Sequence, residues 1–273
     1  MTPRAGLEAV VSMAALDVRR RPDHRAELGS QLLMGERLRL LEPSPDRRWW
    51  RVEGLTDGYR GWVRAWGLVV VPPSRARRWT RLARARVGWL FVEARESRGR
   101  GPLLSPLFWN TRVIASARHG RFRRIELPDG RRGWVPAASL TPENRRTGLI
   151  ERVRGLLGVP YLWGGRTPLG FDCSGFTQQV LAEQRVAVAR DAVEQFRRAM
   201  SLPRSAKSVP GDLIFFGARG APVGHVGIGL GGGYYAHCRQ VVRINSEDPS
   251  NPLYDNELGV QLRGWRRPVR RAP

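Results

Sequence analysis

Through the first 140 residues, apolar and polar positions alternate in short runs, and alternation with period two is the mark of half-buried strands. Trp49-Trp50-Arg51-Val52-Glu53 and Phe122-Arg123-Arg124-Ile125-Glu126-Leu127 are two such runs, with Glu36-Arg37-Leu38-Arg39-Leu40-Leu41 and Thr111-Arg112-Val113-Ile114-Ala115 upstream of each. Each of the first pair leads through an Asp-Gly turn, Asp57-Gly58 and Asp129-Gly130, into a further strand. Gly58-Tyr59-Arg60-Gly61-Trp62-Val63 recurs with one substitution as Gly130-Arg131-Arg132-Gly133-Trp134-Val135. The repeat predicts two copies of one β-module, over residues 1–72 and 79–141, each closing into a small barrel. Trp62 and Trp134 are expected to fill the barrel cores, as large aromatics usually do. Pro72-Pro73-Ser74-Arg75 is expected to link the copies.

The period changes further on. A helix-start pattern at Thr141-Pro142-Glu143-Asn144 leads into Leu149-Ile150, Val153 and Leu156-Leu157 at spacings of three and four, and Thr177 to Gln184 has no helix breaker. Val223 to Leu230 has a strand pattern, and Gly231-Gly232-Gly233 joins it to an antiparallel neighbour beginning at Tyr234. This third segment, residues 145–273, mixes helices with strands.

Composition alters this picture little. The chain has 273 residues, 41% of them hydrophobic, enough for two or three cores. No run of about 18 apolar residues appears and no secretory signal is recognised, so the expected setting is the cytoplasm, with no membrane partner. Cys173 and Cys238, the two cysteines, are too few for a disulfide scaffold and are expected as free thiols. The net charge of +23 would raise nucleic acid as a partner, but Lys207 is the only lysine and the arginines are scattered from Arg4 to Arg271. No specific nucleic-acid site is expected, and the densest cluster, Arg75 to Arg86, is expected to be a solvated face.

The candidate chemistry lies beyond residue 158. Cys173, in Asp172-Cys173-Ser174-Gly175, stands where the helix that includes Thr177–Gln184 begins. The unpaired N–H groups and dipole of a helix start favour a thiolate, which is the nucleophilic form. Among the four histidines, His24 and His119 fall in the β-modules, whereas His225 and His237 fall on the adjacent strands. One imidazole can accept the thiol proton while the other orients it. Four soft or nitrogen ligands could also suggest zinc, but their spacing matches no paired-ligand pattern, so no metal or cofactor is expected. Asp212, in Pro210-Gly211-Asp212-Leu213, is expected to be a turn residue.

Six blocks carry a resemblance: Tyr161-Leu162-Trp163-Gly164-Gly165, Asp172-Cys173-Ser174-Gly175, Arg190-Asp191-Ala192 with Gln195, Pro210 through Phe216, Gly224-His225-Val226-Gly227, and His237. In this order they resemble the NlpC/p60 family of cell-wall cysteine peptidases, and the Gly-Trp-Val repeats resemble the bacterial SH3-like modules of cell-wall enzymes. The resemblance implies an α+β protein, with a circularly permuted papain-like domain behind two SH3-like β-barrels. It implies Cys173 as nucleophile, His225 as general base and His237 as the polar third member. The arrangement is similar to γ-D-glutamyl-L-diamino-acid endopeptidases, which implies cleavage of free L-Ala-γ-D-Glu-diamino acid. Substrate contacts implied are Tyr161, Asp172, Ser174, Arg190 and Asp191, with Glu27 and Tyr59 of the first barrel holding the free amine of L-alanine. Arg131 stands where the second barrel would need a counterpart of Tyr59. A hydrolase or amidase acting on intact peptidoglycan, and a non-catalytic wall binder, are the alternatives.

Overall fold

The computed structural model describes residues 6–142, 145–203 and 205–269. The chain divides into two compact units, residues 1–146 and 147–273.

The first unit contains the repeat. Strands β1 (Glu8–Val11), β2 (Ala15–Arg19), β3 (Leu28–Leu33), β4 (Arg37–Pro43), β5 (Trp49–Gly54), β6 (Arg60–Arg64) and β7 (Leu68–Val71) make a seven-stranded antiparallel sheet in the order β3-β2-β6-β5-β4-β1-β7. After helix α1 (Pro73–Leu82) come β8 (Ala85–Val87), β9 (Phe91–Ser97), β10 (Arg100–Phe108), β11 (Arg112–His119), β12 (Phe122–Glu126), β13 (Arg132–Pro136) and β14 (Leu140–Thr141), in the order β10-β9-β13-β12-β11-β8-β14. Adding seven to each strand of the first sheet gives the second, so the sequence repeat is a topological repeat. The Asp-Gly turns are also equivalent: the Asp57 and Asp129 carboxylates accept the N–H of residues 59 and 131 at 3.0 and 3.1 Å. Gly58 and Gly130 take φ of 77° and 87°, a conformation that disfavours a side chain.

The tryptophans of the repeat do not fill the cores. In β6 the buried positions are Gly61 and Val63, and in β13 they are Gly133 and Val135, so period two turns Trp62 and Trp134 to the outer face, half-buried. The glycines are required on the inner side: a Cβ at Gly61 would lie 2.4 Å from Val18 Cγ1 and one at Gly133 2.8 Å from the Arg95 carbonyl oxygen. Core aromatics come from elsewhere, with Trp49 and Trp109 almost wholly buried. Trp134 instead packs edge-on to His119 and beneath the Arg98 guanidinium.

The linker is also more structured than expected. Helix α1 begins at Pro73, a residue suited to a first helical turn, and buries Ala76 and Trp79 against Val10 and Val71 of the first module. Ile114 of the second module packs on the same cluster, and Met34 of β3's end sits among the buried residues of the second module. Arg75, Arg77, Arg78 and Arg81 point to solvent, as expected for a solvated face.

The second unit opens with α2 (Leu149–Arg154), which follows Gly148, six residues after Pro142; Glu143 and Asn144 of the helix-start pattern lie outside the described residues. Then come β15 (Arg166–Thr167), β16 (Gly170–Phe171), α3 (Cys173–Glu183), α4 (Ala192–Arg198), β17 (Met200–Ser201), β18 (Leu213–Phe216), β19 (His225–Gly231), β20 (Tyr234–Arg239), β21 (Val241–Ser246), α5 (Asn256–Gly259) and β22 (Leu262–Arg267). The main sheet is antiparallel, ordered β17-β22-β18-β19-β20-β21, and α3 packs on β19 and β20. Asp212 is structural: it accepts the Val209 N–H at 2.9 Å and both of its oxygens pair with Arg267, at 2.8 and 2.9 Å. Among the described residues no helix is long and apolar enough to cross a membrane.

Candidate active site

Asp172 fixes the start of α3. With extended backbone angles it accepts the Gly175 N–H at 2.6 Å, the geometry of a helix N-cap. The same carboxylate accepts the Gly164 N–H at 3.0 Å, which draws the Tyr161–Gly165 loop onto the helix start. Arg190 closes the cluster, with its guanidinium 3.0 and 2.5 Å from the two Asp172 oxygens and 3.0 Å from the Ser174 hydroxyl. Arg190, Asp172 and Ser174 are all buried. Gln195 ties α4 in by donating to the Ser174 and Ala189 carbonyls at 3.1 and 2.9 Å. Asp191 begins α4, its carbonyl accepting the Gln195 N–H.

Cys173 is the first residue of α3 and is 7% exposed. The helix start was expected to favour its thiolate, yet burial, followed by the negative charge of Asp172, pushes the thiol up to about 12. The physical reason is visible in the cap: the carboxylate already occupies the positive end of the helix, and desolvation penalises a second anion there. The Val226 backbone, the positive charge of Arg190 and the Ser174 backbone oppose the shift without overcoming it. Tyr161, partly exposed, has its hydroxyl pushed up by burial and then by the charge of Cys173. Cys238 is fully buried, its thiol donating to the Phe171 carbonyl at 3.2 Å.

The imidazoles come from the sheet. Ile228 of β19 is opposite Ala236 of β20; counting three residues back and one forward places His225 and His237 on the same face. His225 Nε2 is 2.7 Å from His237 Nδ1, and His237 Nε2 is 2.8 Å from Asn245 Oδ1 on β21. Burial lowers His225 to about 3, aided by His237 and the nearby arginines Arg239 and Arg243, and lowers His237 to about 4. Both rings are therefore neutral at pH 7, as is the Cys173 thiol. Val226, whose backbone lowers the Cys173 thiol, follows His225 directly on β19, one of the two strands on which α3 packs.

The structure thus gathers Cys173, His225, His237, Tyr161, Asp172, Ser174 and Arg190 in the second unit. Arg190 is turned to Asp172, so it holds the helix start in place. Glu27 and Tyr59 belong to the first unit. There the Arg20 N–H donates to the Glu27 carbonyl at 3.1 Å and the Arg20 guanidinium lies 5.7 Å over the Tyr59 ring, so both residues share one edge of the barrel. Asn245 escaped the sequence reading. Its signal was the alternation in Val241-Val242-Arg243-Ile244-Asn245-Ser246, which puts Arg243 and Asn245 on one face.

A thiol at a helix start, packed on an antiparallel sheet that supplies a hydrogen-bonded imidazole pair, defines a papain-like cysteine peptidase. Two family models match parts of the chain. Residues 158–263 match the model of the NlpC/P60 family and residues 18–68 that of the bacterial dipeptidyl-peptidase SH3 domain. The chain carries an NlpC/P60 cysteine-peptidase domain behind a bacterial SH3 domain. It is similar to dipeptidyl-peptidase 6 of Lysinibacillus sphaericus, 24% identical over 94% of this chain and 97% of that protein. It is also similar to gamma-D-glutamyl-L-lysine dipeptidyl-peptidase of Bacillus subtilis, 28% identical over 74% of this chain and 67% of that one. A crystal structure of an NlpC/P60 family protein from Bacillus cereus shares the fold, with a TM-score of 0.80 and 21% identity over 96% and 99% of the two chains.

Proposed function

We propose that the chain hydrolyses the γ-D-glutamyl–diamino acid bond of free stem peptides, L-Ala-γ-D-Glu-diamino acid, in cytoplasmic recycling of wall peptides. The observation that carries the chemistry is the 2.7 Å contact between His225 and His237 beside the buried Cys173. The Cys173 proton passes to His225 as the sulfur attacks the γ-glutamyl carbonyl, the imidazolium gives that proton to the departing amine, and water hydrolyses the thioester. The Cys173 N–H, in the first turn of α3 with no helical acceptor, is the donor aimed at the oxyanion. The names of the two bacterial relatives support a dipeptide-releasing peptidase, and that of the Bacillus subtilis protein supports the γ-D-glutamyl bond.

For the free amine, Glu27 and Tyr59 are the proposed ligands. A charge-assisted bond between the Glu27 carboxylate and that ammonium would contribute about 1.5–3 kcal/mol. Mass spectrometry of L-Ala-γ-D-Glu-diamino acid after incubation should show L-Ala-γ-D-Glu and the diamino acid, with none from Cys173→Ala. N-acetylated peptide should be cut at least about a hundredfold more slowly, and Glu27→Gln should narrow that gap by slowing only the free-amine substrate. Equal digestion of intact peptidoglycan and free tripeptide would remove the recycling role.

A further inference from the structure

The hydrogen bonds behind His225 determine which of its nitrogens carries the proton. Asn245 is the starting point, 9% exposed on β21. Its Nδ2 is 2.7 Å from the Leu253 carbonyl, which can only accept, so the amide nitrogen faces Leu253 and the amide oxygen faces His237. An amide oxygen also only accepts. His237 Nε2, at 2.8 Å, therefore carries its hydrogen, and in a neutral ring Nδ1 is bare. That bare nitrogen accepts from His225 Nε2 at 2.7 Å, which leaves His225 Nδ1 without a proton and able to take one.

A competing group stands at the same atom. Arg243 lies opposite His237 in the strand register, with Nε 3.4 Å from His237 Nε2 and Nη2 held by Asp255 at 2.9 Å. A guanidinium only donates, so Arg243 favours a bare Nε2 on His237 and hence the reverse order of protons along the chain. That order would place a hydrogen on His225 Nδ1 and block it as a base. The Asn245 contact is 2.8 Å, the Arg243 contact is 3.4 Å, and the shorter bond decides.

We propose that Asn245, locked by the Leu253 carbonyl, is a positioning residue that sets the tautomer of both His237 and His225 against the pull of Arg243. This rests on the reading of His225 as general base. Removing Asn245 lets Arg243 donate to His237 Nε2, so the proton moves to Nδ1 of each ring. Arg243 in turn opposes a second proton on His237, which keeps its Nδ1 an acceptor.

The test is 15N spectroscopy of the histidine rings, in which protonated and bare nitrogens are distinct, read beside steady-state kinetics on the free tripeptide. Wild type should show His225 with bare Nδ1 and protonated Nε2. Asn245→Ala should reverse both rings and lower kcat about tenfold or more with KM within about twofold, as expected when an orienting partner is lost. Asn245→Asp, which still accepts from His237 Nε2, should keep the wild-type tautomers and most of kcat. Arg243→Leu with Asn245→Ala should remove the reversal and recover part of kcat. Unchanged tautomers in Asn245→Ala would overturn the proposal even if activity fell, because the loss would then be structural. A reversal with unchanged kcat would overturn it too, and would also refute His225 Nδ1 as the base, whereas an active Cys173→Ala would refute the cysteine mechanism by itself.

Discussion

At Cys173 two effects compete, and burial is the larger. Raised to about 12, the thiol stays protonated at neutral pH, so under the proposed mechanism its proton would have to leave for His225 as the sulfur attacks. Iodoacetamide should therefore modify Cys173 slowly at pH 7 and faster as pH rises above 9, ahead of Cys238, which is wholly buried and bonded to Phe171. Rapid labelling of Cys173 at pH 6 would show a thiolate and contradict the neutral pair. His225 gives a second prediction. A base lowered to about 3 is still unprotonated at pH 5, so kcat/KM on the free tripeptide should be flat from pH 7 to about 5. An acid limb near the ordinary histidine value of about 6.5 would show that burial does not hold in the working enzyme.

The start of α3 is an element assembled by close backbone contacts, and one glycine makes it possible. A Cβ at Gly175 would lie 2.2 Å from the Gly165 carbonyl oxygen, which already accepts the Asp172 N–H at 3.2 Å. Gly175→Ala must push that loop away from the helix start that carries Cys173. It should lower kcat/KM by at least about tenfold while circular dichroism changes little, because displacements near 1 Å in an active site cost that much or more. Gly61→Ala on β6 meets Val18 and the Arg19 carbonyl of β2, in the unit that does not hold Cys173. It should lower unfolding stability in urea by about 1–3 kcal/mol and leave kcat unchanged in the folded fraction.

For the molecule as a whole, buried ionisable groups tie stability to pH. His225 and His237 bind protons more weakly folded than unfolded, so the unfolded chain takes up more protons below about pH 6.5. Their contribution is fully present above that pH and is lost as pH falls toward the folded values, by up to about 1.4 kcal/mol per pH unit for each ring. Urea midpoints should thus fall between pH 6.5 and 5, and His237→Asn should flatten the slope. The pair of Arg190 and Asp172 is a further whole-fold constraint, because it joins the catalytic loop, α3 and the entry to α4. Arg190→Met leaves a buried carboxylate without its cation and should cost about 3–5 kcal/mol of unfolding free energy, with Asp172→Asn added in the same chain restoring part of it.

Local pattern carried much of this protein. Alternation and the Asp-Gly turns were enough to find the strands on either side of Trp62 and Trp134, because strand period and turn chemistry are properties of neighbouring residues. The order of Cys173, His225 and His237 likewise pointed to a thiol at a helix start and an imidazole pair on adjacent strands, since a helix start and two strands joined by Gly231-Gly232-Gly233 are local facts. Trp62 and Trp134 were misjudged because size suggested a core, whereas the face of a strand residue is settled by what the opposite strand leaves room for. Only the fold turned Pro73 from linker into helix, by supplying Val10 and Val71 for Ala76 and Trp79 to cover. Only the fold, too, raised the Cys173 thiol, directed Arg190 to Asp172 and set Asn245 behind His237, because desolvation, buried charge pairing and strand register join residues distant in the chain.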